Sequence, residues 1–152
     1  MKNFYKKGIT LVEVLAVLTV LGGIFLVVLP QFSKIKENQV LKNGVADILS
    51  SIDKARGETI SSLNSSEYGV HFQSDKVIIF KGTTYSPGAA DNEAINIISP
   101  ATISTISLTA GAVDVYFARL SGAPNKTGTI TITTSNYSKI VTISATGVAS
   151  AN

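Results

Sequence analysis

The chain has no cysteine, one histidine and few charges for its size. Without cysteine there is no disulfide framework and no thiolate chemistry. With His71 as the only histidine, no second imidazole is present to build a metal site, and no HExxH helix can be written. A Gly-rich phosphate loop and a Ser–His–Asp arrangement are also missing. Nothing in these residue types points to an enzyme, and no cofactor is expected. Charged residues make up 15% of the chain against 45% apolar, and the formal net charge is +3. Lys2, Lys6 and Lys7 carry that whole excess, since ten Lys/Arg and ten Asp/Glu remain beyond Gly8. A neutral body gives nucleic acid or an anionic surface little to bind.

What the chain does have is grease, concentrated at its start. Its 152 residues leave room for one modest domain and one anchoring segment. Ile9 to Leu29 is a run of 21 residues in which Glu13 is the only charge and Thr10 and Thr19 are the other polar side chains. As a helix this run would be about 30 Å long, the thickness of a bilayer core. Three lysines precede it, which keeps the short N-terminus on the cytoplasmic side and sends the rest outward. Gly22, Gly23 and Pro30 weaken a helix, and Pro30 is expected to bend it rather than stop it.

After Pro30 the pattern turns amphipathic. Leu41, Val45, Ile48, Leu49 and Ile52 fall on one helical stripe, with Lys42, Asn43, Asp47, Ser50 and Asp53 on the other faces. The helix is expected to continue to about Ser61, fading near Gly57. From Tyr68 the period becomes two. Strands are predicted at residues 68–73, 77–81, 94–98, 103–108, 113–119, 129–134 and 140–144, separated by turn signals such as Ser86-Pro87-Gly88 and Pro124-Asn125-Lys126. The expected fold is α+β, a long N-terminal helix packed on an antiparallel β domain of one or two sheets.

Two plain readings of the N-terminus meet difficulties. A secretory signal peptide has an apolar core of about 7–15 residues ending in a small-x-small site. Here the run is longer and ends Leu29-Pro30-Gln31-Phe32. A simple membrane anchor accounts for the length and the lysines but not for Glu13. A carboxylate near the centre of a membrane span costs about 2.5–3.5 kcal/mol, less near its edge, and calls for a partner. A cut after Gly8 would supply one, because Ile9 then carries a free amine four residues before Glu13. The amine of the same chain or of a neighbouring subunit could neutralise the carboxylate and fix the axial offset between subunits.

These residues resemble a known family. Lys6-Lys7-Gly8 followed by Ile9-Thr10-Leu11-Val12-Glu13-Val14 is similar to the type IV prepilin cleavage and methylation motif. The resemblance implies cutting after Gly8 by a prepilin peptidase, N-methylation of Ile9, an assembly role for Glu13 and a helix bend at Pro30. Ile9 stands where that family usually has phenylalanine, a departure that bears on methylation more than on cutting. The strand Tyr68-Gly69-Val70-His71-Phe72, the later hairpins and the ending Ile143-Ser144-Ala145-Thr146-Gly147-Val148 resemble minor pseudopilins of the GspH/FimT kind. The absence of a disulfide-bounded C-terminal region also leans toward a minor subunit.

The implied organisation is a leader at 1–8, a transmembrane and assembly helix at 9–29, its amphipathic continuation at 30–62, and an extracytoplasmic β-rich domain at 63–152. The implied partners are the prepilin peptidase, other pilin or pseudopilin subunits in a helical filament, and membrane lipid before assembly. The implied location is the bacterial inner membrane, then an extracytoplasmic filament. A DNA-binding minor pilin and a plain membrane-anchored β domain are the alternatives. DNA binding is disfavoured, since residues 145–152 hold no cation and the nearest are Lys126 and Lys139, with Arg119 and Lys81 further off. His71 is expected to be structural or solvent-facing. Asp91 and Glu93 are expected to be solvated in a loop, and the Asn64, Asn125 and Asn136 triplets are read as surface turns rather than glycosylation sites.

Overall fold

A computed structural model describes residues 8–152. The elements are α1 (Leu11–Ile60), β1 (Tyr68–Phe72), β2 (Lys76–Lys81), β3 (Glu93–Asn96), β4 (Thr102–Leu108), β5 (Asp114–Tyr116), β6 (Gly128–Thr133), β7 (Ser138–Ile143) and β8 (Ala149–Ala151). The fold is α+β, with one long N-terminal helix packed on two antiparallel sheets ordered β3-β2-β1-β5 and β4-β6-β7-β8. The chain divides into two compact units, Met1–Lys36 and Glu37–Asn152, so the division falls inside α1. Of the expected leader only Gly8 lies among the described residues.

In the second unit the helical stripe is the seed of the core. Leu41, Val45, Ile48 and Ile52 are buried, and the stripe continues through Ala55 to Thr59. They join one cluster with Val70, Phe72, Val77 and Ile79 of the first sheet and Ile103, Ile130, Ile132, Val141 and Ile143 of the second. Each such side chain contributes about 1.5–3 kcal/mol when removed from water. Gly44 lets the second sheet come close, because a Cβ there would sit 2.6 Å from Ile132 Cδ1. Gly57 does not end the helix, which stops at Ile60, just before Ser62 and Asn64 take left-handed backbone angles. Thr59 joins that end to the sheet: its Oγ1 donates to the Ala55 carbonyl at 2.8 Å and accepts the Tyr68 N–H at 2.9 Å. Arg56 reaches the other way, donating to the carbonyls of Gly122 and Thr146 at 3.1 and 3.3 Å.

Strand β2 is buried on both faces. Val77 and Ile79 face the main core, whereas Ile78 and Phe80 face the opposite side of the same sheet. There Phe80 pairs across the ladder with Gly69, and its ring occupies the space a Cβ on Gly69 would need. Tyr85, from the segment between β2 and β3, covers this second cluster. Its ring meets Phe80 edge-on at 5.8 Å and stacks on His71 at 3.9 Å between centroids.

Two strand expectations are corrected. The strand read at 113–119 shortens to β5 because the chain turns back just beyond it, the Ala118 N–H donating to the Ala123 carbonyl at 2.8 Å and the Gly122 N–H to the Ala118 carbonyl at 2.9 Å. Asn125 then lies along the open edge of Tyr116. The Tyr116 N–H donates to Asn125 Oδ1 and the Asn125 N–H to the Tyr116 carbonyl, both at 2.9 Å, and Leu120 then turns the chain with φ 67°. The C-terminal β8 has no alternating pattern and was not expected. It forms by completing the ladder on β7, where Ile140 and Asn152 exchange two backbone hydrogen bonds. The outward face of this sheet is hydroxylated, with Ser107, Thr129, Thr142 and Ser150 in one row across all four strands. Lys139 is the only charged residue in those strands.

Candidate functional site

Gly8, Ile9 and Thr10 precede α1 without regular secondary structure and are exposed. Among the described residues, its chain neighbours apart, no atom lies within 4 Å of where a Cβ on Gly8 would stand, so nothing described in this chain requires glycine there. The helix begins at Leu11, and Thr10 is its cap. The Thr10 carbonyl accepts the Val14 N–H at 3.2 Å, the first intrahelical bond, and Thr10 Oγ1 accepts the Glu13 N–H at 3.2 Å. That pair of bonds defines an N-cap, in which a side-chain oxygen satisfies a donor the helix leaves orphaned. Glu13 therefore occupies the third helical position, in the first turn, where the positive end of the helix favours a carboxylate.

Beyond this turn the helix is apolar on every side. Leu15, Ala16, Val17, Leu18, Val20 and Leu21 cover the circumference at helical spacing, and all are exposed. Leu11 and Val12 are 75% and 73% exposed. The segment is long and apolar enough to cross a membrane, and none of its most apolar window is buried. Thr19 is satisfied within the helix, its hydroxyl donating to the Leu15 carbonyl at 2.7 Å. Among the described residues the Glu13 carboxylate has no ion-pair or hydrogen-bond partner. The helix continues through Pro30 rather than ending there. A Cβ on Gly22 or Gly23 would also meet nothing within 4 Å.

The other candidates resolve into structural roles. His71 is half-buried, stacked on Tyr85, with Nδ1 shielded and unpaired among the described residues. Burial pulls its pKa below the ordinary histidine value, and the charge of Asp114, its cross-strand neighbour on β5, opposes that pull. The folded state thus binds a proton at His71 less readily than the unfolded chain does. This contribution to stability is complete above the unfolded pKa of about 6.5 and is lost as pH falls through the lower folded pKa. Urea unfolding at stepped pH should show stability declining below about pH 6.5, with His71→Phe flattening that slope.

Glu93 is not free in a loop as expected: it opens β3 and pairs with Lys54 on α1. Its hydrogen bond raises the Lys54 pKa. Lys81 lines a shallow hollow beside Glu58, Asp91 and Glu93, acidic neighbours that offset its charge. Asn64, Asn125 and Asn136 all spend side-chain atoms on the fold, Asn64 donating to the Tyr68 hydroxyl and Asn136 to Glu37. Among the described residues no three His, Cys, Asp or Glu side chains gather as metal ligands.

The residue that sequence reasoning passed over is Thr10. Thr10-Leu11-Val12-Glu13 has the spacing of a capping box ahead of an apolar run, a signal visible in the letters alone. No protein-family model matches the chain, and neither a curated protein nor a solved structure does.

Proposed function

We propose that this protein is a structural subunit of a type IV pilin-like filament, a minor pilin or secretion pseudopilin. It is made as a precursor, cut between Gly8 and Ile9 by a prepilin peptidase, and assembled through its N-terminal helix. One observation carries the reading: two residues after Lys6-Lys7-Gly8 a helix begins that is apolar around its circumference, with one carboxylate, Glu13, in its first turn. An apolar surface of this kind needs lipid or neighbouring helices around it. A carboxylate at that place needs a cation, and the new amine at Ile9 is one. Before assembly the subunit is held in the cytoplasmic membrane with its three lysines inside. Afterwards its β domain faces outward on the filament. Its role is architectural, requiring no cofactor.

The test is intact mass and N-terminal sequencing of the protein recovered from a host with an active prepilin peptidase. A chain starting at Ile9, with or without one added methyl group, supports the reading. A chain still starting at Met1 reduces the protein to a bitopic anchor bearing a β domain. Because nothing described in the chain packs against Gly8, a requirement for glycine there would come from the peptidase alone. Gly8→Val is accordingly expected to abolish processing while leaving membrane insertion and domain folding unchanged. Immunoblotting of membrane fractions for the unshifted precursor checks this.

A further inference from the structure

We propose that Thr10 is a positioning residue for the cut at Gly8: as the N-cap of α1 it stops the helix two residues past the scissile bond and keeps Gly8–Ile9 non-helical. The inference rests on the reading that this bond is the one cleaved. A peptidase must reach the carbonyl carbon of Gly8 and surround the peptide on either side of it. A helical peptide is closed to such an approach, because its carbonyl and N–H groups are engaged along the axis and its side chains wrap it. The segment 8–10 is exposed and without regular structure, and the helix takes over only at Leu11.

What holds the boundary there is Thr10. Its carbonyl takes the first intrahelical bond from Val14, and its hydroxyl takes the Glu13 N–H, so the helix start is closed at this residue. Next to a bilayer such closure matters more than in water, because an orphaned N–H has fewer alternative partners. Should the cap be lost, the nearest upstream residue that serves well as an N-cap is Gly8. A helix restarted from Gly8 would make Ile9 its first residue and draw the scissile peptide into the helical turn. Thr10 and Glu13 then divide the work, Thr10 fixing where the helix begins and the Glu13 side chain remaining free for assembly.

The experiment follows processing of the full-length chain over time, in membranes with active prepilin peptidase, for wild type, Thr10→Val and Thr10→Asn. Valine keeps the shape and removes the hydroxyl, and asparagine restores a capping oxygen. Cleavage of Thr10→Val is expected to slow by about two- to thirty-fold, the range that a lost cap is worth. Thr10→Asn is expected within about twofold of wild type. Amide exchange at Val12, measured on detergent-solubilised precursor, should slow in Thr10→Val alone, because a helix restarted at Gly8 gives the Val12 N–H the Gly8 carbonyl that it lacks when the helix starts at Leu11. Insertion should not change, so a general defect cannot mimic the result. If wild type is cut and Thr10→Val is cut equally fast, the inference falls and the cleavage reading stands. Slow cleavage that asparagine does not restore also overturns it, by assigning the effect to shape. A wild type that is never cut removes the cleavage reading, and the inference with it.

Discussion

Glu13→Val should leave the protein in the membrane and keep it out of filaments. Valine removes a charge that costs about 2.5–3.5 kcal/mol near the centre of a span, and less near its edge, so insertion improves if it changes at all. Assembly is where the carboxylate works in the proposed filament. A subunit docked at the wrong axial offset strands Glu13 in an apolar bundle, so a penalty of that size favours the paired offset roughly a hundredfold. Apolar packing alone supplies cohesion but little preference among offsets, since the helix is apolar on all sides. Without that preference, incorporation should fall by about tenfold or more. The measurement is the amount of variant in sheared, sedimented filaments relative to the membrane pool. The Glu13 backbone bond to Thr10 does not involve its side chain, so the helix start survives the substitution. Glu13→Gln, which keeps shape and loses charge, should fail in the same way. Normal incorporation of either variant would refute the register argument.

The second large effect is expected at Phe80→Ala, far from the helix start. Phe80 is 1% exposed and lies on the face of the first sheet turned away from the main core. Its ring fills the place above Gly69 and supports the edge of Tyr85, which in turn stacks on His71. Truncation leaves only the Val115 carbonyl beside Gly69 and takes away the support under Tyr85. A buried Phe→Ala change typically costs about 3–5 kcal/mol, and a domain of ordinary stability has about 5–15 kcal/mol in all. Urea unfolding of the detergent-solubilised protein, followed by far-ultraviolet circular dichroism, should show that loss. A cost below about 1 kcal/mol would mean that the second cluster does not stabilise the sheet.

Much of the fold could be read from residue patterns because the main core follows them. The stripe from Leu41 to Ile52 is buried where its spacing places it, and Ile130, Ile132, Val141 and Ile143 face inward as their alternation requires. The misses have local causes. Phe80 and Gly69 belong to a cluster on the face of the first sheet turned away from the main core, so the run Val77-Ile78-Ile79-Phe80 is apolar throughout and shows no alternation. The end of β5 is set by a turn at residues 118–123, where Leu120 and Gly122 take left-handed angles inside what reads as a continuing strand. The strand Ala149–Ala151 has small residues only, and forms because β7 offers it a free edge. At the candidate site, Gly8, Ile9 and Glu13 stand out by type and position, and Pro30 by its missing donor. Thr10 carries only the short Thr-x-x-Glu spacing as a signal, easily passed over in an apolar run, and its hydroxyl accepting the Glu13 N–H gives that spacing its meaning.

The order in which the core comes together has a consequence for the growing chain. The apolar stripe of α1 is made first, yet its partners include Ile130, Val141 and Ile143, which emerge some eighty to a hundred residues later. Until then Leu41, Val45, Ile48 and Ile52 have only the first sheet's Val70, Phe72, Val77 and Ile79 as partners, and lack those of the second. An amphipathic helix in that condition lies along the bilayer surface with its apolar face in the headgroup boundary. In the membrane-held subunit proposed above, that surface is immediately at hand. In that proposed setting the bilayer would cover the stripe until the two sheets take its place.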